Sequence, residues 1–135
     1  MIVGIDPDIS KSGFAVLNQG NLWLKTLSFP EILETLLTDI SSIKAVYIEA
    51  GWLNKKASWH MATSMAMASN IGMKVGQNQA AGKLLVDCIT RMGIKVIEVR
   101  PTSKKLDAKQ FKQLTKYEGS TNQETRDAAM LIFGR

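Results

Sequence analysis

The sequence predicts an α/β fold: a mixed five-stranded sheet, its first three strands antiparallel, flanked by helices. Three observations predict it. Short β-type runs open the chain in quick succession, separated by turn residues. Stretches with apolar residues at helical spacing then alternate with further strand-like runs. The resulting order is three strands, helix, strand, helix, strand and two helices, which suits one α/β layer architecture.

The elements follow from the residues in order. Ile2-Val3-Gly4-Ile5 is a short apolar run, fit for a central strand buried on both faces. Residues 6–13 hold Asp6, Pro7, Asp8, Ser10, Ser12 and Gly13, which is turn chemistry. Phe14-Ala15-Val16-Leu17 is a second strand. Asn18-Gln19-Gly20-Asn21 is a hairpin turn signal, and residues 22–27 form a third strand. Pro30 suits the first turn of a helix. Ile32, Leu33, Leu36, Leu37 and Ile40 recur at helical spacing and predict an amphipathic helix over 30–41. Ala45-Val46-Tyr47-Ile48 is a fourth strand that runs directly into Glu49. Residues 50–59 read as a surface loop, and residues 60–92 as helix with a break near Gly72–Gly76. Residues 94–99 form a fifth strand. Pro101-Thr102-Ser103 interrupts the chain before a basic helix over 107–116, capped by Asp107 or Ser103. Thr121 or Asn122 caps a last helix over 123–133, which has an acidic first turn.

Size and composition narrow the class. At 135 residues the chain is expected to form one domain, 1–135, which excludes a two-lobed enzyme. Hydrophobic residues at 45% and charged residues at 21% exclude wholesale disorder. Cys88 is the only cysteine and His60 the only histidine. A disulfide scaffold, a cysteine zinc knuckle and a histidine-rich metal site are therefore excluded. Any metal would be held by carboxylates, which favours Mg²⁺ or Mn²⁺. No apolar run approaches the ~20 residues of a membrane helix, so a soluble, cytoplasmic protein with no membrane partner is expected.

The net charge of +5 is not evenly spread. Arg100, Lys104, Lys105, Lys109, Lys112 and Lys116 face only Asp107 within residues 100–117, so the surplus sits there. Such a cluster is either a footprint for a polyanion or a solvated basic helix.

Acidic residues occupy distinctive positions. Asp6 follows the first strand and Glu49 the fourth. If these strands lie parallel and adjacent, both acids reach the same sheet edge, where open α/β sheets place their sites. Glu124 and Asp127 are three apart on one helix face, beside the small residues Ala128 and Ala129. Carboxylates from two strand ends and a helix could form a two-metal site for phosphoryl transfer. Each acid also has a plainer reading. Asp6 could serve only an Asx-turn, Glu124 only the helix dipole, and Asp127 a surface pair with Arg126. Glu49, ending an apolar strand, costs energy unless paired or metal-bound.

Ile2-Val3-Gly4-Ile5-Asp6-Pro7 with Gly13, Ile48-Glu49, and Asp127-Ala128-Ala129 together resemble RuvC-type Holliday junction resolvases of the ribonuclease H-like superfamily. Gly76-Gln77 with Ala81-Gly82 resembles the start of that family's long helix. The compactness of the chain is similar to the small phage-type members. The resemblance implies a Mg²⁺-dependent endonuclease, with Mn²⁺ as substitute and two ions per site. It would resolve four-way DNA junctions by paired symmetric nicks as a homodimer. It also implies that Asp6, Glu49, Glu124 and Asp127 are metal ligands, Glu124 standing where many members have Asp. Lys109 matches a family lysine near the scissile phosphate. Two other readings stay open: a nuclease of broader branched-DNA or RNA–DNA hybrid specificity on the same fold, and a catalytically silent nucleic-acid-binding module.

With that resemblance, Arg100, Lys104, Lys105, Lys109, Lys112 and Lys116 become candidate phosphate contacts, and Lys55 and Lys56 extend them. Trp52 and Trp59 either stack on bases or pack on the neighbouring helix, and packing is the expectation. His60 reads as a cap or surface residue. Met61, Met65, Met67 and Met73, with Ala62, Ala66 and Ala68, form a pliable apolar stripe of the kind usual in cores. Because this helix is apolar on more than one face, a homodimer interface is expected there as well. Cys88 is expected to be a buried small hydrophobe.

Overall fold

The computed structural model describes residues 1–54 and 64–135. Lys55, Lys56, Trp59, His60, Met61 and Ala62 lie outside the described residues.

Five strands form one sheet in the order β3-β2-β1-β4-β5. They are β1 (Ile2–Asp6), β2 (Ser12–Asn18), β3 (Asn21–Leu27), β4 (Ala45–Glu49) and β5 (Val96–Val99). The first three pair antiparallel, while β4 pairs parallel with both β1 and β5. The expected mixed sheet is therefore present, with β1 at its centre. Gln19 and Gly20 both take positive φ in the β2–β3 turn, as a two-residue hairpin with right-handed strand twist requires.

Among the described residues four helices flank the sheet: α1 (Phe29–Thr38), α2 (Met65–Arg91), α3 (Ala108–Thr115) and α4 (Gln123–Met130). Strand alternation sorts the core into two layers. Val3 and Ile5 of β1, with Val46 and Ile48 of β4, meet Ile32, Leu36, Leu85 and Ile89 from α1 and α2. The opposite face holds Ala15, Phe111, Ala128, Ala129 and Ile132, under α3 and α4. Ile5, Val46, Ile48 and Leu85 are fully or almost fully buried. Each such side chain contributes about 1.5–3 kcal/mol through its removal from water.

The same alternation aims the strand-end acids. Ile2, Gly4 and Asp6 share one face of β1, and Tyr47 and Glu49 share the corresponding face of β4. Both carboxylates therefore project to the α4 side. Two glycines let α4 come that close. A Cβ on Gly4 would lie 2.1 Å from the Ala128 carbonyl oxygen, and one on Gly13 would lie 2.0 Å from that of Glu124. The backbone of α4 thus rests directly on β1 and β2.

Several boundaries differ from expectation. The first helix starts one residue earlier and ends at Thr38, with a 3₁₀ turn at Ile40–Ser42 in place of its last turn. The second helix is unbroken across Gly72 and Gly76; isolated glycines lower helix stability without ending a 27-residue helix. The fifth strand is shorter, Val96–Val99: Gly93 adopts positive φ and the Ile94 N–H still donates to the Ile89 carbonyl of α2 at 3.3 Å. The last helix ends at Met130 and continues as turns. Its cap is Asn122, whose Oδ1 accepts from the Thr125 N–H at 2.8 Å. Asp107 caps α3 by accepting from the Gln110 N–H at 2.8 Å. The described methionines of the stripe are not core: Met65 is 91% and Met73 60% exposed, and the buried residues of α2, Ala81, Gly82, Leu85 and Ile89, lie in its C-terminal half. Cys88 is only partly buried, on the flank of that half. Among the described residues no helix is long and apolar enough to cross a membrane.

Candidate metal centre

Asp6, Glu49 and Asp127 converge at the C-terminal edge of β1 and β4. One carboxylate oxygen of each lies within 4.8 Å of the others. Two of these acids come from parallel neighbours paired in register through Ile5 and Ile48. The third stands one turn into α4, brought down by the glycine contacts. Three hard oxygen donors from three elements, all at least half-buried, fit Mg²⁺ or Mn²⁺ better than a soft or imidazole-preferring metal.

The electrostatics reflect crowding of negative charge. The Asp6 carboxyl is pushed up to about 8 by burial first, then by Glu49, with Asp127 and Glu124 adding to it against the pull of Lys105. Among the described residues no hydrogen-bond donor serves the Asp6 carboxylate. Glu49 is also raised, again by burial first, with Lys105 opposing and Asp127 reinforcing. Such carboxylates hold their charge only with a cation nearby.

Lys105 supplies one. Its ammonium donates to Asp127 Oδ2 and sits 3.5 Å from Glu49 Oε1. Burial lowers the lysine's proton affinity, but Asp127, Glu49 and Asp6 outweigh it and raise its pKa. The other Asp127 oxygen, Oδ1, accepts from Gln123 Nε2 at 2.7 Å. Gln123 precedes Asp127 by one helical turn, so it fixes the carboxylate's rotation. Arg126 does not pair with Asp127. Its guanidinium instead bonds the Leu106 carbonyl at 3.0 Å, Thr121 Oγ1 at 2.9 Å and Gln123 Oε1 at 3.0 Å. It thereby ties the loop carrying Lys105 to the start of α4.

Loops on the other side are also tied down. The Asx-turn after β1 belongs to Asp8, whose Oδ1 accepts from Ser10 N–H at 2.8 Å, which leaves the Asp6 carboxylate to the acid cluster. Asn78 of α2 accepts from the Ile9 N–H at 2.9 Å and donates to Asp8 Oδ2 at 3.3 Å. Trp52, just past Glu49, donates from Nε1 to Glu98 Oε1 at 2.7 Å. Its ring lies so close to Gly82 that a Cβ there would approach it to 2.6 Å. Packing on the neighbouring helix is what the structure places at Trp52. A cleft of about 750 Å³ opens beside the acids, lined by Trp52, Asn78, Gln79, Thr102, Ser103 and Lys105 among others.

The remaining sequence candidates are dispersed. Glu124 is exposed and stands outside the three-acid cluster, acting on Asp6 only through its charge. Lys109 is exposed on the first turn of α3, and among the described residues the lysine paired with the acids is Lys105. Arg100 and Lys104 line a smaller cleft of about 190 Å³ together with Glu49, Lys105 and Asp127. Lys112 pairs with Glu118 at 2.7 Å, and Lys116 closes α3 in a left-handed conformation. Gln123 and Lys105 in the acid cluster were not legible as such. The spacing of Gln123 and Asp127 is a helical i, i+4 signal that points to their contact. Lys105 has no periodic signal, since it reaches the acids from a loop.

Neither a protein-family model nor a curated protein sequence matches the chain. Among solved structures, the chain is similar to T. thermophilus RuvC in complex with a Holliday junction substrate. That likeness has a TM-score of 0.54 at 15% identity and covers 96% of this chain and 88% of that one. It is also similar to Fowlpox virus resolvase in complex with Holliday junction DNA, at a TM-score of 0.46 and 14% identity, over 97% and 94% of the two chains. The first likeness shows the fold alone: a mixed five-stranded sheet with flanking helices, shared with the T. thermophilus RuvC chain.

Proposed function

We propose that this chain is a RuvC-type nuclease, a divalent-metal-dependent endodeoxyribonuclease that resolves four-way DNA junctions by paired nicks. One observation carries the reading: Asp6, Glu49 and Asp127 meet at the edge of the RuvC-type sheet with oxygens within 4.8 Å. The sequence motifs support the choice of substrate, as does the junction bound by the similar T. thermophilus RuvC.

In this reading Asp6, Glu49 and Asp127 hold one or two Mg²⁺ ions, with Glu124 adding charge at the rim. Bound metal supplies an activated water and stabilises the leaving 3′ oxygen of a phosphodiester. Asp6 and Glu49 orient the site from rigid strand ends. Gln123 locks the Asp127 carboxylate. Arg100 and Lys104, bordering the smaller cleft, hold phosphates of the incoming strand, and Lys109, Lys112 and Lys116 extend that surface, as do Lys55 and Lys56. The exposed Met65, Met73 and Leu84 on α2 form the contact of a homodimer, which two symmetric nicks require.

The test is cleavage of a synthetic four-way junction with Mg²⁺, beside linear duplex, splayed-arm and RNA–DNA hybrid substrates. Paired nicks on the junction alone, lost in Asp6→Asn, are expected. Equal cutting of the other substrates would replace junction resolution with a broader nuclease activity. Tight junction binding without any cutting would leave a binding module.

A further inference from the structure

The position of Lys105 has a consequence for metal loading, and it rests on the metal-centre reading above. Its ammonium lies between Glu49 Oε1 and Asp127 Oδ2, two of the three acids a metal would need. A divalent ion bridging those carboxylates and the ammonium cannot occupy the same space, and two cations held side by side repel. The lysine is also built to leave. It stands on the 100–107 loop between β5 and α3, its side chain is 42% exposed, and it borders both clefts. The loop itself is held behind it by Arg126 at the Leu106 carbonyl, so the side chain can swing while the backbone stays. Arg100 and Lys104 line the smaller cleft with Lys105, at the rim where a phosphate would rest in the proposed function.

We propose that Lys105 is an internal counter-cation of the metal centre: it occupies the Glu49–Asp127 position in the metal-free protein, and a divalent ion loads only by displacing it. The lysine thus stabilises the folded site before metal arrives and weakens metal binding until a phosphate takes its charge. The acids are kept in place without a permanent ion, and the fully loaded centre is favoured when an anionic backbone is present. Arginine at this position could form a bidentate pair with Asp127 and would be harder to displace.

The test uses Mn²⁺ binding to the DNA-free protein, read by electron paramagnetic resonance, together with thermal unfolding. Lys105→Met keeps the stem and removes the charge, and Lys105→Gln provides a second, polar variant. Both should bind Mn²⁺ at least about tenfold more tightly than wild type, the scale of one charge-assisted hydrogen bond removed from the competition. Both should also melt below wild type without metal, and the gap should close as Mn²⁺ is added. Unchanged or weaker Mn²⁺ binding in both variants, with binding lost in Asp127→Asn, would overturn the counter-cation role and leave the metal centre standing. Undiminished Mn²⁺ binding in both Asp6→Asn and Asp127→Asn would overturn the metal-centre reading itself, and the counter-cation role with it.

Discussion

Asp6 shows how much one buried carboxyl can reveal. Its pKa is raised from 3.8 to about 8, mainly by burial and then by Glu49. Between those values the folded chain holds a proton that the unfolded chain releases. Raising the pH through that window therefore costs stability. Thermal unfolding of the metal-free protein should show a melting temperature falling from about pH 5 to about pH 8. Asp6→Asn should flatten that fall, and Mg²⁺ should stabilise wild type more at the high end than at the low. Gln123 offers a second check. Gln123→Ala frees the Asp127 carboxylate to rotate and should lower metal affinity or cleavage about 10–100-fold. Of the four acids singled out in the sequence, Glu124 stands outside the cluster; Asp6 and Glu49 were readable, because an acid that ends an apolar strand needs a reason to be there. Asp8 and Lys105 were not. Asp8 takes the Asx-turn role that composition alone would give to Asp6, and Lys105 looks like any member of a basic run until the loop folds back.

The site depends on the close approach of α4 to β1 and β2, and that approach depends on Gly4 and Gly13. Gly13→Ala places a methyl group within 2.0 Å of the Glu124 carbonyl oxygen, which a helix backbone can escape only by moving. The expected cost is about 1–3 kcal/mol of stability, with a larger proportional loss of metal binding as Asp127 is carried away from Glu49. Denaturant unfolding and metal titration measured together would separate the two effects. Most elements were legible at this scale. Apolar runs and turn residues predict all five strands, and the spacing of Ile32, Leu33 and Leu36 predicts α1. The boundaries were less legible. Gly72 and Gly76 look like breaks in sequence, but a Cβ at either would meet none of the described residues within 4 Å. Past Met130 the chain continues as turns, with Leu131 and Ile132 buried in the core and Gly134 at positive φ.

The molecule as a whole carries an unburied stripe on α2. Met73 and Leu84 are eleven residues apart, close to three helical turns, and so share one side of the helix. Both are exposed, at 60% and 57%. In the proposed homodimer this side is covered, and Met73→Glu should convert a dimer to a monomer by light scattering and abolish paired nicking while leaving the fold intact by circular dichroism. An unchanged mass would remove α2 as the interface. The basic surplus of residues 100–117 also takes a different form in three dimensions. Lys105 turns inward to the acids and Lys112 pairs with Glu118, so Arg100 and Lys104 are left beside the site. Charge counting could locate the stretch but not divide it, because the division is made by the fold. Function in this chain turns on whether three acids from two strands and a helix form one metal centre. Anomalous diffraction from crystals grown with Mn²⁺ decides that. At least one peak should be bonded to carboxylate oxygens of Asp6 together with Glu49 or Asp127, with the Lys105 ammonium moved away. Ordered crystals at saturating Mn²⁺ with no peak at these acids, and Lys105 still seated between Glu49 and Asp127, would contradict it.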